Sequence, residues 1–264
     1  MRRYEQLPNA NPQDFYWTLK QLVNRRDALV KTKSMLMRQF HDQIQYSYPN
    51  YKKFFHEIEC ETSLTFYEAY PSASTLEHIT IEELAEFLRK PSHNCCSTKK
   101  AEQILNKIEE DAVKKRDYQY GRDFIVKSIV RHLRYQCEEL KKIESVMEKM
   151  LRDTPYQLET LPGVHTVTAC ALISHIGEIE RFSNANKLAS YARVAPICFS
   201  SARKGRSTQS NHAGLFRLQK KEGKTKIQAL LCIMRRLINI IYSMMKHKSA
   251  YQIPLKREEC QATA

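Results

Sequence analysis

Apolar residues between positions 15 and 48 recur at steps of three and four, and no proline or glycine interrupts them. This spacing predicts one long amphipathic helix of coiled-coil character. Its apolar positions are Leu19, Leu22, Val23, Leu29, Val30, Leu36, Met37, Phe40 and Ile44. A second stripe predicts a long helix over 123–151, with Ile125, Ile129, Val130, Leu133, Cys137, Leu140, Ile143, Val146 and Met147 along one face. We interpret both stripes as packing surfaces, with dimerisation through the coiled coil as a further use.

Shorter helices are predicted between and after the two long ones. Thr80 and Glu83 have the spacing of a capping box at a helix start, and 97–110 and 226–246 also have a helical pattern. We therefore expect a mainly α protein. Residues 1–150 should form a long antiparallel helical hairpin with an inserted small helical subdomain, and residues 151–251 a small helical C-terminal domain. Residues 252–264 should form a tail.

The positive charge of the chain is concentrated near its C-terminus. The net charge is +14, and residues 201–250 contain twelve basic residues against the single acid Glu222. Scattered basic residues usually form a solvated face, but an excess this concentrated favours a polyanionic partner. Release of condensed counterions would then supply much of the affinity for nucleic acid.

Cysteine spacing and apolar run length argue against several other classes of protein. The eight cysteines include no CxxC pair, so neither a zinc site nor a disulfide framework is indicated and we expect no metal site. No uninterrupted apolar run approaches the roughly 20 residues of a membrane span. We expect a cytoplasmic protein with reduced cysteines and no membrane partner.

The stretch from Leu161 to Thr166 reads as a helix-hairpin-helix-like element. Pro162-Gly163 makes a tight turn before a helix rich in small residues. Gly163 allows the backbone to approach a phosphate, and the free amides after His165 and Thr166 can donate to a phosphate oxygen. The alternative is an ordinary joint between two helices, which also uses Pro-Gly.

The order of short motifs after residue 160 is more specific than the charge. Leu161-Pro162-Gly163 is followed by Arg181-Phe182, a Leu-Ala-Ser-Tyr-Ala run, Ala195-Pro196, Ser200-Ser201 and a basic run. This order resembles the C-terminal transposase domain of the IS110 insertion-sequence family, with its IS1111 branch. The likeness extends over nearly the whole chain, including the Tyr70-Pro71 turn, and is most specific over 161–206.

The resemblance implies a DNA recombinase that moves an insertion sequence and is guided by a structured RNA. In the intact family a RuvC-like domain holds magnesium ions with an acidic tetrad, and a serine of the C-terminal domain is the nucleophile. By position that serine is Ser201, with Ser200 as its rival. Serine attack on a phosphodiester conserves bond energy in a covalent protein–DNA link. The basic residues expected to hold phosphates are Arg203, Lys204, Arg206, Lys220, Lys221 and Lys224.

The chain also departs from the family pattern. Arg193 and Ala202 stand where the family usually has glycine, and no strand-rich acidic segment precedes the first long helix. The magnesium ligands are therefore not expected in this chain, which we interpret as a truncated copy or one fragment of a split reading frame. Two alternatives stay open. One is a non-catalytic nucleic-acid-binding remnant that inhibits full-length transposase through mixed dimers, and the other is a structural helical protein whose basic tail binds acidic partners.

Overall fold

Helices make up nearly all of the regular structure because the apolar positions repeat at helical spacing. The structure, a computed structural model, describes residues 14–92, 94, 96–194 and 225–252. Within these residues there are eight α-helices and no strand, so the expected mainly α fold is confirmed. The helices are α1 (Asp14–Ser47), α2 (Glu61–Ala69), α3 (Ile81–Arg89), α4 (Thr98–Asp111), α5 (Gln119–Arg152), α6 (Thr166–Ile176), α7 (Ala185–Tyr191) and α8 (Lys226–His247).

The two long helices, α1 and α5, each contain 34 residues. The stripe predicted for α1 is buried at Leu19, Val23, Leu29, Leu36, Phe40 and Ile44. The stripe predicted for α5 is wrong at two positions, because Ile125 and Val146 are exposed. The predicted residues Ile129, Val130, Leu133 and Met147 are buried. Val126 is buried in place of Ile125, so at the start of α5 the buried face is turned from the predicted one by one residue, or about 100° of helix rotation.

The chain divides into two compact units. We call residues 24–143 the middle unit, and the described residues of 14–23, 144–194 and 225–252 the terminal unit, so that α1 and α5 each contribute residues to both. The expected hairpin pairing of these helices, the coiled coil and the boundaries at residues 150 and 251 stay predictions.

Aromatic side chains fill the core of the middle unit. Phe66 is fully buried and its ring lies 5.2–6.1 Å from those of Tyr48, Phe54, Phe55, Tyr67 and Tyr70. Burial raises the pKa of Tyr48 and of Tyr67 well above the ordinary range. These hydroxyls are therefore structural, and that of Tyr48 donates to the carbonyl of Tyr70 at 3.0 Å.

Polar contacts fix helix positions in the same unit. The predicted capping box of α3 is present, because Thr80 Oγ1 accepts from the Glu83 amide and the Glu83 carboxylate accepts from the Thr80 amide. Arg134 on α5 donates to Glu68 Oε2 at 2.6 Å and lies 3.2 Å from Glu61 Oε1. Both carboxylates belong to α2, so this guanidinium ties α5 to α2.

The terminal unit is organised around α8. This helix packs against α7 and against two short 3-10 helices, Leu158–Thr160 and Ile179–Arg181. Among the described helices, α8 alone is long and apolar enough to cross a membrane by length and composition, a test that core helices of soluble proteins also pass. It was not predicted as a span from the sequence, because Arg235 and Arg236 interrupt its apolar residues.

Candidate nucleic-acid interface

The turn that contains Gly163 is built as its sequence predicts. Leu161 and Val164 are buried and anchor the turn, and the Val164 amide donates to the Leu161 carbonyl at 3.0 Å. Pro162 and Gly163 are exposed between them. Gly163 has a φ of +88°, a backbone conformation that side chains other than glycine rarely adopt. Space around its Cα is open, so the backbone requires this glycine and no steric contact does.

The element that precedes the turn differs from the expected helix. It is the 3-10 helix Leu158–Thr160, and α6 follows with His165 as its N-cap residue. The His165 side chain makes no capping hydrogen bond, and both His165 and Gly163 are exposed. The free amides of the first turn of α6 therefore begin at an open surface, and all three predicted residues of this segment lie there.

A carboxylate already lies beside this helix start. The Thr166 hydroxyl donates to Glu159 Oε1 at 2.6 Å. A negative charge at this position interacts favourably with the positive end of the helix dipole. It also opposes the binding of a phosphate to the same amides. The sequence analysis did not anticipate Glu159, because only folding of the turn brings it to Thr166.

The segment that follows α8 contacts the same turn. The Tyr251 amide donates to Thr160 Oγ1 at 2.8 Å, and that hydroxyl donates to the Gln157 carbonyl at 2.7 Å. The turn is thereby held by a residue 91 positions away along the sequence.

Aromatic and cationic side chains pack together at the end of α7. The Arg181 guanidinium lies 5.0 Å from the ring centroid of Phe182 and 5.1 Å from that of Tyr191. The Tyr191 hydroxyl donates to the His175 carbonyl, and the Tyr242 hydroxyl donates to the Phe182 carbonyl, both at 3.2 Å. Arg181 is exposed, so its charge remains available to solvent or to an anion.

Residues 185–194 and 225–252 contain seven lysines and arginines and no acidic residue. Arg235 on α8 donates to the Asn186 amide oxygen on α7, while its Nη1 is buried without a hydrogen-bond partner among the described residues. The Lys246 Nζ atom lies 4.0 Å from the Oε1 atom of Glu180. The seven cations are Lys187, Arg193, Lys226, Arg235, Arg236, Lys246 and Lys248. This part of the terminal unit is therefore an uncompensated positive segment, apart from the Lys246 contact.

Arg193 has a special place among these cations. Its φ is +56°, its amide donates to the Ser190 carbonyl, and the next amide, that of Val194, donates to the Ala189 carbonyl at 2.8 Å. This is the Schellman pattern of a helix C-terminus, in which the left-handed residue is usually glycine. The glycine that the resemblance implies at this position would adopt the same conformation without strain.

A groove of about 460 Å³ lies between α6, α7 and α8. It is lined largely by apolar side chains, with Leu172, Ile176, Leu188 and Ile241 among them. Buried Cys170 on α6 has a pKa raised to about 11 by its burial and by Glu159. Neither feature provides phosphate ligands or a reactive thiolate.

The predicted nucleophile Ser201 and its rival Ser200 lie outside the described part of the chain, and their role stays a prediction. The same holds for six cations predicted to bind nucleic acid: Arg203, Lys204, Arg206, Lys220, Lys221 and Lys224. Within the described ranges no group of three or more His, Cys, Asp or Glu side chains could hold a metal ion.

Comparison with known proteins identifies relatives of this chain. Residues 156–232 match the model of the family described as Transposase IS116/IS110/IS902 family. The Insertion element IS110 uncharacterized 43.6 kDa protein of Streptomyces coelicolor is 27% identical over an alignment of 159 positions that covers 49% of this chain and 38% of that protein. The Insertion element IS116 uncharacterized 44.8 kDa protein of Streptomyces clavuligerus is 21% identical over an alignment of 270 positions that covers 92% of this chain and 67% of that protein.

A further relative is not named as an insertion-element protein. The Pilin gene-inverting protein of Moraxella lacunata is 26% identical over an alignment of 172 positions that covers 53% of each chain. The matched stretches therefore span between 38% and 67% of these relatives.

Proposed function

We propose that this chain is the DNA-handling part of an insertion-sequence recombinase, because residues 156–232 match the model of the family described as Transposase IS116/IS110/IS902 family. The match of this segment, which includes Ser200 and Ser201, is the observation that carries the proposal. The exposed turn at Gly163 and the acid-free basic stretches on α7 and α8 support it from the described residues.

The proposed chemistry is a phosphoryl transfer from DNA to serine. The Ser201 hydroxyl oxygen attacks the scissile phosphorus, a new O–P bond forms, and the bond from phosphorus to a deoxyribose oxygen breaks. The hydroxyl proton passes to that leaving oxygen. The reverse step, with a different deoxyribose hydroxyl as the attacking group, exchanges strands without a high-energy cofactor. Arg203, Lys204 and Arg206 follow the serine closely enough in sequence to neutralise phosphate charge.

Magnesium is part of the proposal only through residues that the described segments do not contain. Since no suitable ligand group occurs among them, no step above passes through a metal ion. We assign the acidic ligands to a second polypeptide or to a segment outside the described one. Guide-RNA binding and homo-oligomerisation through the long helices belong to the same proposal.

A covalent-adduct assay tests the proposed nucleophile. The full chain is incubated with labelled element-end DNA, guide RNA, Mg²⁺ and a separately supplied RuvC-like domain, and adducts are counted after denaturing electrophoresis. Ser201→Ala should abolish the adduct and Ser200→Ala should retain it. The opposite result would move the nucleophile to Ser200.

The alternative function is that of a non-catalytic remnant that dimerises with full-length transposase through the long helices. In that case wild type gives no adduct even with the second domain present. It instead lowers the activity of full-length transposase in proportion to its concentration. A salt series separates both functions from a structural protein with a basic tail, because nucleic-acid affinity falls steeply with salt.

A further inference from the structure

The N-terminal half of α5 presents aromatic and basic side chains on one exposed face of the middle unit. Tyr120, Phe124 and Tyr135 are 79%, 65% and 53% exposed. At 100° per residue, these three and the cations Lys127 and Arg131 fall within an arc of about 80°. The face extends over 15 residue steps of α5, or about 22 Å. We call these five residues the α5 face.

A basic recess adjoins the start of the same helix. It is lined by Tyr46, Ser72, Lys114, Lys115, Arg116 and Arg122, among others. The Arg116 guanidinium lies 5.3 Å from the ring centroid of Tyr46. Tyr118, just before α5, is 78% exposed. Cations and an aromatic ring thus line one recess, and a further exposed aromatic lies in the segment that joins it to α5.

The net positive charge of this region favours a polyanionic partner over a second copy of the chain. Residues 114–135 contain seven basic residues and two acids, Asp117 and Asp123. Arg134 is engaged by Glu68 and Glu61, and Asp123 accepts a hydrogen bond from Gln119 at 2.8 Å. A second copy of the chain placed on this face would bring like charges together. A polyanion would neutralise them.

The exposed aromatic rings of this region favour a single-stranded nucleic acid over a duplex. An aromatic side chain can stack on an unpaired base, whereas the bases of a duplex are already stacked on one another. Cations spaced along the same face can hold the phosphates between successive bases. We propose that the α5 face and the basic recess bind single-stranded nucleic acid. This surface belongs to the middle unit, whereas the basic stretches of α7 and α8 belong to the terminal unit. The proposed binding does not involve Ser201.

Fluorescence anisotropy of the full chain tests the proposal. The probes are 15-nucleotide oligothymidylate, 15-nucleotide oligouridylate and a 15-base-pair DNA duplex. The variant Tyr120→Leu/Phe124→Leu/Tyr135→Leu keeps exposed apolar side chains but removes the rings. It should weaken binding of the single strands by roughly tenfold or more. Binding of the duplex should change less than twofold. A loss confined to one single strand would identify that strand, DNA or RNA, as the source.

Charge is tested with two matched variants on surface lysines. Lys114→Gln/Lys115→Gln should reduce the salt dependence of single-strand binding by about 1.4 in the slope of log K against log salt. Lys99→Gln/Lys100→Gln removes the same charge at the start of α4, outside the α5 face and the basic recess, and should leave the slope nearly unchanged. Equal effects of the two variants would overturn the proposal, as would equal losses for single strands and duplex.

Photocrosslinking distinguishes nucleic acid bound at the α5 face from nucleic acid bound by the basic residues of 201–250. An iodouracil-containing oligonucleotide should crosslink to peptides that contain Tyr120 or Tyr135. Crosslinks restricted to residues 201–250 would contradict the assigned surface. Neither the binding assays nor the crosslinking depends on a covalent serine adduct. The proposal for the α5 face can therefore be refuted while the recombinase proposal is supported, and the recombinase proposal can be refuted while that for the α5 face is supported.

Discussion

Glu159 provides the sharpest test of whether the Gly163 turn contacts phosphate. Its carboxylate accepts a hydrogen bond from Thr166 at 2.6 Å, at the first turn of α6. The variant Glu159→Gln retains a side-chain oxygen that can accept from the same hydroxyl. It removes only the negative charge. If a phosphate binds the free amides of α6, this variant should bind nucleic acid more tightly than wild type.

The magnitude follows from the geometry. Two unit charges about 4 Å apart repel by about 1 kcal/mol at the dielectric of water, and we take this separation for a phosphate on those amides and the neighbouring carboxylate. Both Glu159 and Gly163 are exposed, so the value for water is appropriate. Since 1.4 kcal/mol is tenfold in affinity, Glu159→Gln should raise affinity about three- to fivefold at low salt. Screening at physiological ionic strength reduces the gain.

Stability should change in the opposite direction. A carboxylate at a helix N-terminus contributes about 0.3–1 kcal/mol through the helix dipole. Its loss should lower the Tm by about 1–3 °C for a chain of this size. Duplex binding by anisotropy and thermal unfolding by circular dichroism measure the two effects. Glu86→Gln, an exposed site on α3, is the control for net charge. If Glu159→Gln binds no more tightly than Glu86→Gln, the turn is not a phosphate contact.

Three further predictions concern stability. Arg193→Gly removes a left-handed non-glycine residue at the end of α7 and should stabilise the protein by roughly 0.5–1 kcal/mol, measured by urea unfolding. Phe66→Ala, in the aromatic core of the middle unit, should destabilise it by about 3–5 kcal/mol in the same measurement. Burial and the nearby Glu159 raise the pKa of the Cys170 thiol above its ordinary value, to about 11. The contribution of this neutral thiol to stability should therefore be complete below about pH 9 and lost as the pH rises towards 11. Wild type should then lose more stability than Cys170→Ala between pH 8 and pH 10.5.

Local features of the fold were predictable because their causes are local. The stripe of α1 and the capping box at Thr80 depend on residues within four positions of each other. The buried face of α5 was not fixed in this way. Ile125 and Val126 are both apolar and adjacent, so only packing against the rest of the middle unit decides which of them is buried.

In the candidate site too, the residues with local causes were predictable and those with distant partners were not. Gly163 was identified from sequence because a Pro-Gly pair before a helix requires its backbone conformation. Glu159 and Arg235 were not, because their partners Thr166 and Asn186 lie seven and 49 residues away. Ser201 and the cations that follow it stay predictions from family position alone.

Arg193 shows how a departure from a family pattern acquires a physical meaning. Glycine at this position satisfies the left-handed conformation that the two Schellman hydrogen bonds impose, to Ser190 and to Ala189. An arginine there incurs about 1 kcal/mol or more of backbone strain, since a left-handed residue with a Cβ is disfavoured by that amount. In return the exposed side chain adds a cation to a stretch that contains no acid. Arg193→Gly should therefore stabilise the fold and weaken nucleic-acid binding together, whereas Arg193→Lys should change neither by much. A glycine variant that binds as tightly as wild type would mean that the strain at this position has no function in binding.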